Sequence, residues 1–219
     1  PSNSYIYIYG DMDVNERLEY LDREYLSDFD VSDVDIHANI ERQAAFDKPV
    51  YETKPYAITE DESLEDNTYL SYNAVIGTSV DAKLYLAFQI LDYALVMTPG
   101  APVKQALLDA GISTDVYSSY ETSLYQPVYS IVAKNSNSKE QGRFVSVIND
   151  TLEKLVKDGI NERTIEAGIN YYEFKYREAD YGPYPKGLMY YLTMMDSWLY
   201  DETKPFIHIE AGDTFDELK

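Results

Sequence analysis

Hydrophobic and polar positions change period several times along the chain. Between Ser4 and Tyr9, tyrosines at 5, 7 and 9 alternate with Ile6 and Ile8, the two-residue period of a strand whose faces differ. Gly10 breaks the pattern. Asp13, three residues ahead of Glu16, then has the spacing of a capping box, in which each carboxylate can accept from a free amide of the first helical turn. Leu18, Leu21 and Tyr25 recur at helical spacing and predict one apolar stripe ending near Phe29. From residue 30 to 48 acids mix with polar residues without a period, which predicts a linker and a domain boundary near Phe46.

A second unit follows. Residues 49–58 and 68–77 read as two strands, with the acidic loop 59–67 making a hairpin the simplest connection. Leu84, Phe88, Leu91 and Leu95 form the stripe of a helix that must stop before Pro99, because proline disfavours helical geometry in the preceding residue. A short helix over 101–110 closes at Gly111, and 114–123 with 125–134 predict another strand pair followed by a turn at 135–138. Ser138 and Gln141 have capping-box spacing ahead of a helix with Phe144, Ile148, Leu152 and Leu155 on one face, ended by Gly159. Two further helices are predicted. One runs from Glu162 to about Tyr176 with Ile165, Ile169 and Tyr172 inward; the other runs from Pro185 to Tyr200 with Leu188, Leu192, Met195 and Trp198 or Leu199 inward. Hairpin-joined strands make a mainly antiparallel sheet, and the helices must cover one face of it, so the predicted fold is an α+β two-layer sandwich. No short tandem repeat is present.

Composition narrows the chemistry. With 219 residues and 45% hydrophobic content the chain can bury a sizeable core. Its 39 acidic against 18 basic residues give a formal charge of -21, which repels nucleic-acid backbones and anionic lipid surfaces. Leu84 to Val96 is interrupted by Gln89 and Asp92 and falls short of the roughly 20 residues of a membrane span, so no membrane partner is expected. The opening, Pro1 before a strand with no initiating Met or leader, reads as an excised fragment.

Candidate chemistry is sparse. Zero cysteines exclude disulfides, thiolate nucleophiles and cysteine-ligated zinc. The two histidines, His37 and His208, lack a partner four residues away on a helix face and read as structural or exposed. Asp11, Asp13 and Asn15 resemble the start of a calcium loop, but Glu16 occupies the position that needs glycine, so capping is the better reading. Asp28, Asp30, Asp33 and Asp35 read as a solvated linker. There is no Gly-x-Ser-x-Gly elbow, and Gly100, Gly111 and Gly182 make no phosphate-binding loop. Thus no catalytic and no metal-ligating residue is assigned within the chain. Among 23 tyrosines, Tyr117, Tyr120, Tyr125 and Tyr129 cluster on the second strand pair. They would line a peptide- or sugar-binding wall, joining apolar area to a polar tip, or else simply pack the sheet.

Three segments, in order, carry a family resemblance: Pro1-Ser2-Asn3-Ser4 leading to Gly10-Asp11-Met12-Asp13; Thr98-Pro99-Gly100-Ala101-Pro102 before Leu107; and Arg177-Glu178 before Gly182-Pro183-Tyr184-Pro185-Lys186-Gly187-Leu188. Together they resemble the presequence-protease branch of the insulinase-type (pitrilysin) zinc metallopeptidases. The resemblance implies four homologous α/β domains in two half-shells that enclose unfolded peptides. It also implies an inverted zinc motif, His-x-x-Glu-His, ahead of residue 1, where zinc-bound water attacks a peptide carbonyl with the motif glutamate as base. On that footing residues 1–46 are the last strand and helix of the catalytic domain plus linker, and 47–219 are a second, non-catalytic domain. The segment itself would hold no zinc, and its partners would be the other domains of its polypeptide and unfolded peptide substrate. Its setting would be the cytoplasm or an organelle matrix. The alternative is a protein- or glycan-binding module that uses the tyrosine-rich sheet outside any enzyme.

Overall fold

The computed structural model describes residues 4–30 and 40–219. Pro1 to Asn3 of the first family segment, and Asp33, Asp35 and His37 of the predicted linker, lie outside the described residues. The architecture is α+β, as the patterning predicts. Strands β1 (Thr68–Val75), β2 (Asp115–Glu121) and β3 (Val128–Ser136) form one antiparallel sheet in the order β1-β3-β2. The α-helices are α1 (Val14–Glu24), α2 (Ala82–Asp92), α3 (Pro102–Asp109), α4 (Gln141–Asp158), α5 (Glu162–Glu178), α6 (Lys186–Trp198) and α7 (Gly212–Leu218).

The sheet is built by alternation. On β3 the buried positions Tyr129, Ile131 and Ala133 point to the helices, while Val128, Ser130, Val132 and Lys134 point the other way. Val116 and Tyr120 of β2 and Leu70 and Tyr72 of β1 share the helical side, fixed by pairings such as Leu70 with Ala133 and Tyr120 with Tyr129. Against this face pack Leu95, Val96, Val103, Leu107, Phe144 and Ile148, forming the larger core. A smaller core joins Leu86 and Ile90 to Ile169, Ala211 and Phe215. Helix α2 therefore serves both cores. The helix ends in a π-helical turn over Tyr93–Met97, where the Thr98 amide bonds the Tyr93 carbonyl at 3.2 Å. Phe88 and Leu91, ahead of this turn, already pack against the larger core, and Leu95 and Val96 within it continue that face. Helices α5 and α7 rest on α2 instead of lying directly on the sheet. At Gly168 of α5 the approach to α2 is close, since a Cβ there would sit 3.2 Å from both Ile90 Cγ2 and Tyr93 Cδ1.

Several expectations are corrected. Residues 49–58 form no strand, and the first hairpin does not exist: β1 pairs with β3, from a distant part of the chain. Pro49 and Pro55 lack the amide hydrogens a ladder needs, and Val50, Tyr51 and Tyr56 remain exposed. The arm 4–9 is extended but carries no ladder among the described residues. Ser138 and Gln141 form no capping box, because β3 runs on to Ser136 and a 3₁₀ turn over Ser138–Glu140 precedes α4, whose first residue is Gln141. Leu188, Leu192 and Leu199 of the α6 region point outward, being 47%, 48% and 42% exposed; Met194 and Ser197 are the buried positions. Taken as one run of 28 residues, Ala82–Asp109 reaches the length and apolar content of a membrane span, which the shorter window 84–96 does not; here its apolar side chains fill the two cores.

Candidate functional site

The four tyrosines of the predicted wall divide between environments. Tyr120 and Tyr129 face the helices with ring centroids 6.3 Å apart, edge to face. The Tyr129 hydroxyl donates to Asp92 Oδ1 at 2.8 Å, whereas the buried Tyr120 hydroxyl has no partner among the described residues. Tyr117 lies on the opposite sheet face, 44% exposed. Tyr125 sits in the β2–β3 turn, its ring stacked on Tyr200 at 4.7 Å. Alternation along the strand causes the split, since positions 117 and 120 differ by an odd number of residues.

Behind Tyr120 runs a polar seam between the two cores. The Tyr85 hydroxyl donates to Asp196 Oδ2 at 3.0 Å, and the Tyr85 ring stacks on His208 with centroids 4.0 Å apart. His208 Nε2 lies 2.8 Å from the Ser79 carbonyl; since a carbonyl can only accept, that nitrogen carries the proton. Burial sets the protonation of these groups. Loss of hydration pushes the Asp196 carboxyl up to about 6, with the Glu121 charge adding to the effect and the Tyr85 bond opposing it. The same cause pushes His208 down to about 4 against the opposing Ser79 bond, so at neutral pH the ring is uncharged. Asp92 is also raised by burial, in opposition to its bonds from Ser118 and Tyr129. Tyr176, close by, is pushed up to about 12, chiefly by desolvation. These groups pin the segment carrying His208 to α2.

Among the described residues no three His, Asp or Glu side chains are grouped to hold an ion, and the chain has no cysteine. The His208 ring is committed to Ser79 and to Tyr85. Asp13, first considered as a calcium ligand, instead accepts from the Glu16 amide at 3.1 Å and caps α1.

Two surfaces remain. The sheet face turned away from the helices is open except at its Tyr69 edge, where the Tyr56 ring packs at 5.6 Å, and presents Tyr69, Ser71, Asn73, Tyr117, Ser130 and Val132. At its centre Asn73 Oδ1 accepts from Ser130 Oγ at 2.7 Å and from Ser71 Oγ at 2.9 Å, which holds a hydroxyl and amide patch in place between the two flanking tyrosines. The second surface is the joint between the arm 4–9 and α6. Tyr5 meets Trp198 edge-on at 4.8 Å, Tyr7 meets Tyr191 at 5.2 Å, and Tyr9 meets Tyr190 at 5.8 Å. A Cβ on Gly187 would run into the Tyr9 ring, so the close seat requires glycine there. An open groove of about 440 Å³ borders the joint, lined by Tyr7, Tyr9, Pro185, Leu188 and Tyr191 among others. The stretch that joins the two parts of the first family segment thus meets the third segment, at Gly187.

Sequence reasoning missed the seam acids. Asp92 interrupts the apolar run 84–96 and Asp196 follows Met194 and Met195, and an acid inside an apolar helix is the signal that marks such positions.

Comparison with known proteins agrees with the fold and the motifs. A Clostridium perfringens protein named HypA is 42% identical over the whole of this chain, which covers 22% of its length. Presequence protease 1, chloroplastic/mitochondrial, of Arabidopsis thaliana is 32% identical over the whole chain, which covers 20% of that protein. The chain therefore spans about a fifth of the length of these relatives. In structure it is similar to the inactive peptidase domain of a protein described as a zinc protease from Bordetella parapertussis, with a TM-score of 0.52 and 12% identity over 68% of this chain and 82% of that one. Residues 1–172 match the family described as Peptidase M16 inactive domain. The chain accordingly belongs to the insulinase-type M16 peptidase family, through its inactive-domain class.

Proposed function

We propose that residues 47–219 are the second, non-catalytic domain of a zinc-dependent peptidase that degrades unfolded peptides, and that residues 1–46 are the closing strand and helix of the preceding catalytic domain with its linker. In this reading the chain walls a substrate chamber and packs against its neighbours, while zinc and the reaction belong to another part of the polypeptide. The observation that carries it is the one-sided sheet: helices cover one face, and the other, with its tyrosines and fixed hydroxyls, is open to a ligand. Of the four tyrosines, Tyr117 is the one we assign to peptide contact on that face. The arm supports the division near residue 46, since its backbone lacks a ladder and no α1 side chain is buried among the described residues. The setting in this reading is the cytoplasm, as suits a chain 42% identical to a bacterial protein, or an organelle matrix, as in the mitochondrial and chloroplastic relatives.

The test is photo-crosslinking in the full-length protein, with benzoylphenylalanine placed at Ser130 in the middle of the open face. An unfolded peptide substrate should be captured there, and excess unlabelled peptide should compete. A protein that cleaves the peptide yet never captures it at this position refutes the wall.

A further inference from the structure

Helix α6 has apolar residues on two sides. Met194 and Ser197 are buried against the rest of the chain, and the tyrosines at 190 and 191 hold the arm. On the opposite side Leu188, Leu192, Met195 and Leu199 follow one another at intervals of four, three and four, the seam spacing by which one helix receives another. Met195 is half-buried and the three leucines are nearly half exposed. Only Lys186 and Asp196 carry charge in the 13 residues of α6, a composition suited to an interior helix.

We infer that the Leu188, Leu192 and Leu199 stripe, with the neighbouring groove under Tyr7 and Tyr9, is the seat of an apolar-faced helix supplied by a part of the same polypeptide outside residues 1–219. The inference rests on the packing role proposed above and gives it a location. Three observations select this occupant. The relatives are about five times as long as the chain, so tethered sequence is plentiful. The groove is walled by the arm, which we assign to a neighbouring domain, so the seat is continuous with a joint between parts of one polypeptide. A second copy fits badly: three half-exposed leucines fall far below the roughly 800 Å² per partner of a stable interface, and two chains of charge -21 repel. A tethered helix meets the stripe at high effective concentration and needs no such area.

The experiment uses the full-length protein with benzoylphenylalanine at Leu192, and in a second variant at Leu199. Both positions are exposed, so either variant tolerates the larger side chain, and the pair guards against loss of one. Irradiation followed by peptide mapping should give a product of monomer mass, linked to a segment outside residues 1–219. A product of dimer mass, capture of added substrate peptide, links only within 1–219, or no product from either position overturns the inference. Failure at Ser130 with an intramolecular product from α6 removes the chamber wall and keeps the seat, and the reverse result removes the seat alone.

Discussion

Helices α4 and α6 have similar apolar periodicity and opposite fates. Phe144 and Ile148 of α4 are buried against the sheet, and the remainder of that helix is largely charged or polar, with Arg143, Asp150, Glu153, Lys154, Lys157 and Asp158 toward solvent. In α6 the strongest apolar stripe faces outward, and burial falls on a mixed face that holds Ser197 and the arm tyrosines. Periodicity reports that a face is destined for burial but is silent about which neighbour buries it. Helix α4 buries its apolar stripe within the chain, leaving only Val156 fully out; α6 and α1 have whole apolar stripes left over.

The contrast can be broken by substitution. Phe144→Ala should lose about 3–5 kcal/mol, the range for emptying a large core site, read as a fall in the denaturant midpoint. The matched truncation in the uncovered region, Leu18→Ala in α1, should stay within about 0.5 kcal/mol, since Leu18 is 55% exposed. An intermediate effect is expected at the arm joint. Gly187→Ala forces Tyr9 off α6 and should cost about 1–3 kcal/mol, with faster proteolytic cleavage in the arm while the sheet half keeps its protection.

A further effect, visible only as pH varies, sharpens the picture of the seam that pins His208 to α2. Asp196 has its folded value raised to about 6, so between pH 4 and 6 the folded chain keeps a proton that the unfolded chain has released. Its contribution therefore falls as pH rises. His208, lowered to about 4, does the opposite: the unfolded chain is the one carrying the extra proton, and stability rises across the same window. The two slopes oppose one another. Asp196→Asn should remove the falling one, so the variant gains stability relative to the parent as pH goes from 4 to 7, measured as unfolding midpoints at matched ionic strength. Besides Tyr85, the groups acting on Asp196 include Glu121 on β2, which is constant between the two proteins except where it responds to the lost charge.

Local signals account for what was legible. The β2–β3 hairpin, α3 to α5 and the Asp13 cap follow from short-range patterns, and each forms close to its predicted place. The false hairpin over 49–58 and 68–77 came from preferring the nearest partner, when β1 joins β3 across more than fifty residues. Helix α7 lies in a stretch with no predicted element; its Phe215 is buried, yet a seven-residue helix offers too few turns for a periodic signal. At the candidate site the tyrosine cluster was visible, but its division between faces depended on strand register. The seam depended on α6 and the segment after it folding back onto α2, which no local pattern encodes.

One consequence of the arm joint is optical. Trp198 is the only tryptophan in the chain, and its ring takes the edge of Tyr5. Intrinsic emission excited at the indole band therefore comes from a single fluorophore placed against the arm. Detachment of residues 4–9 should shift that emission to longer wavelength without any label, giving a direct clock for arm docking in stopped-flow mixing.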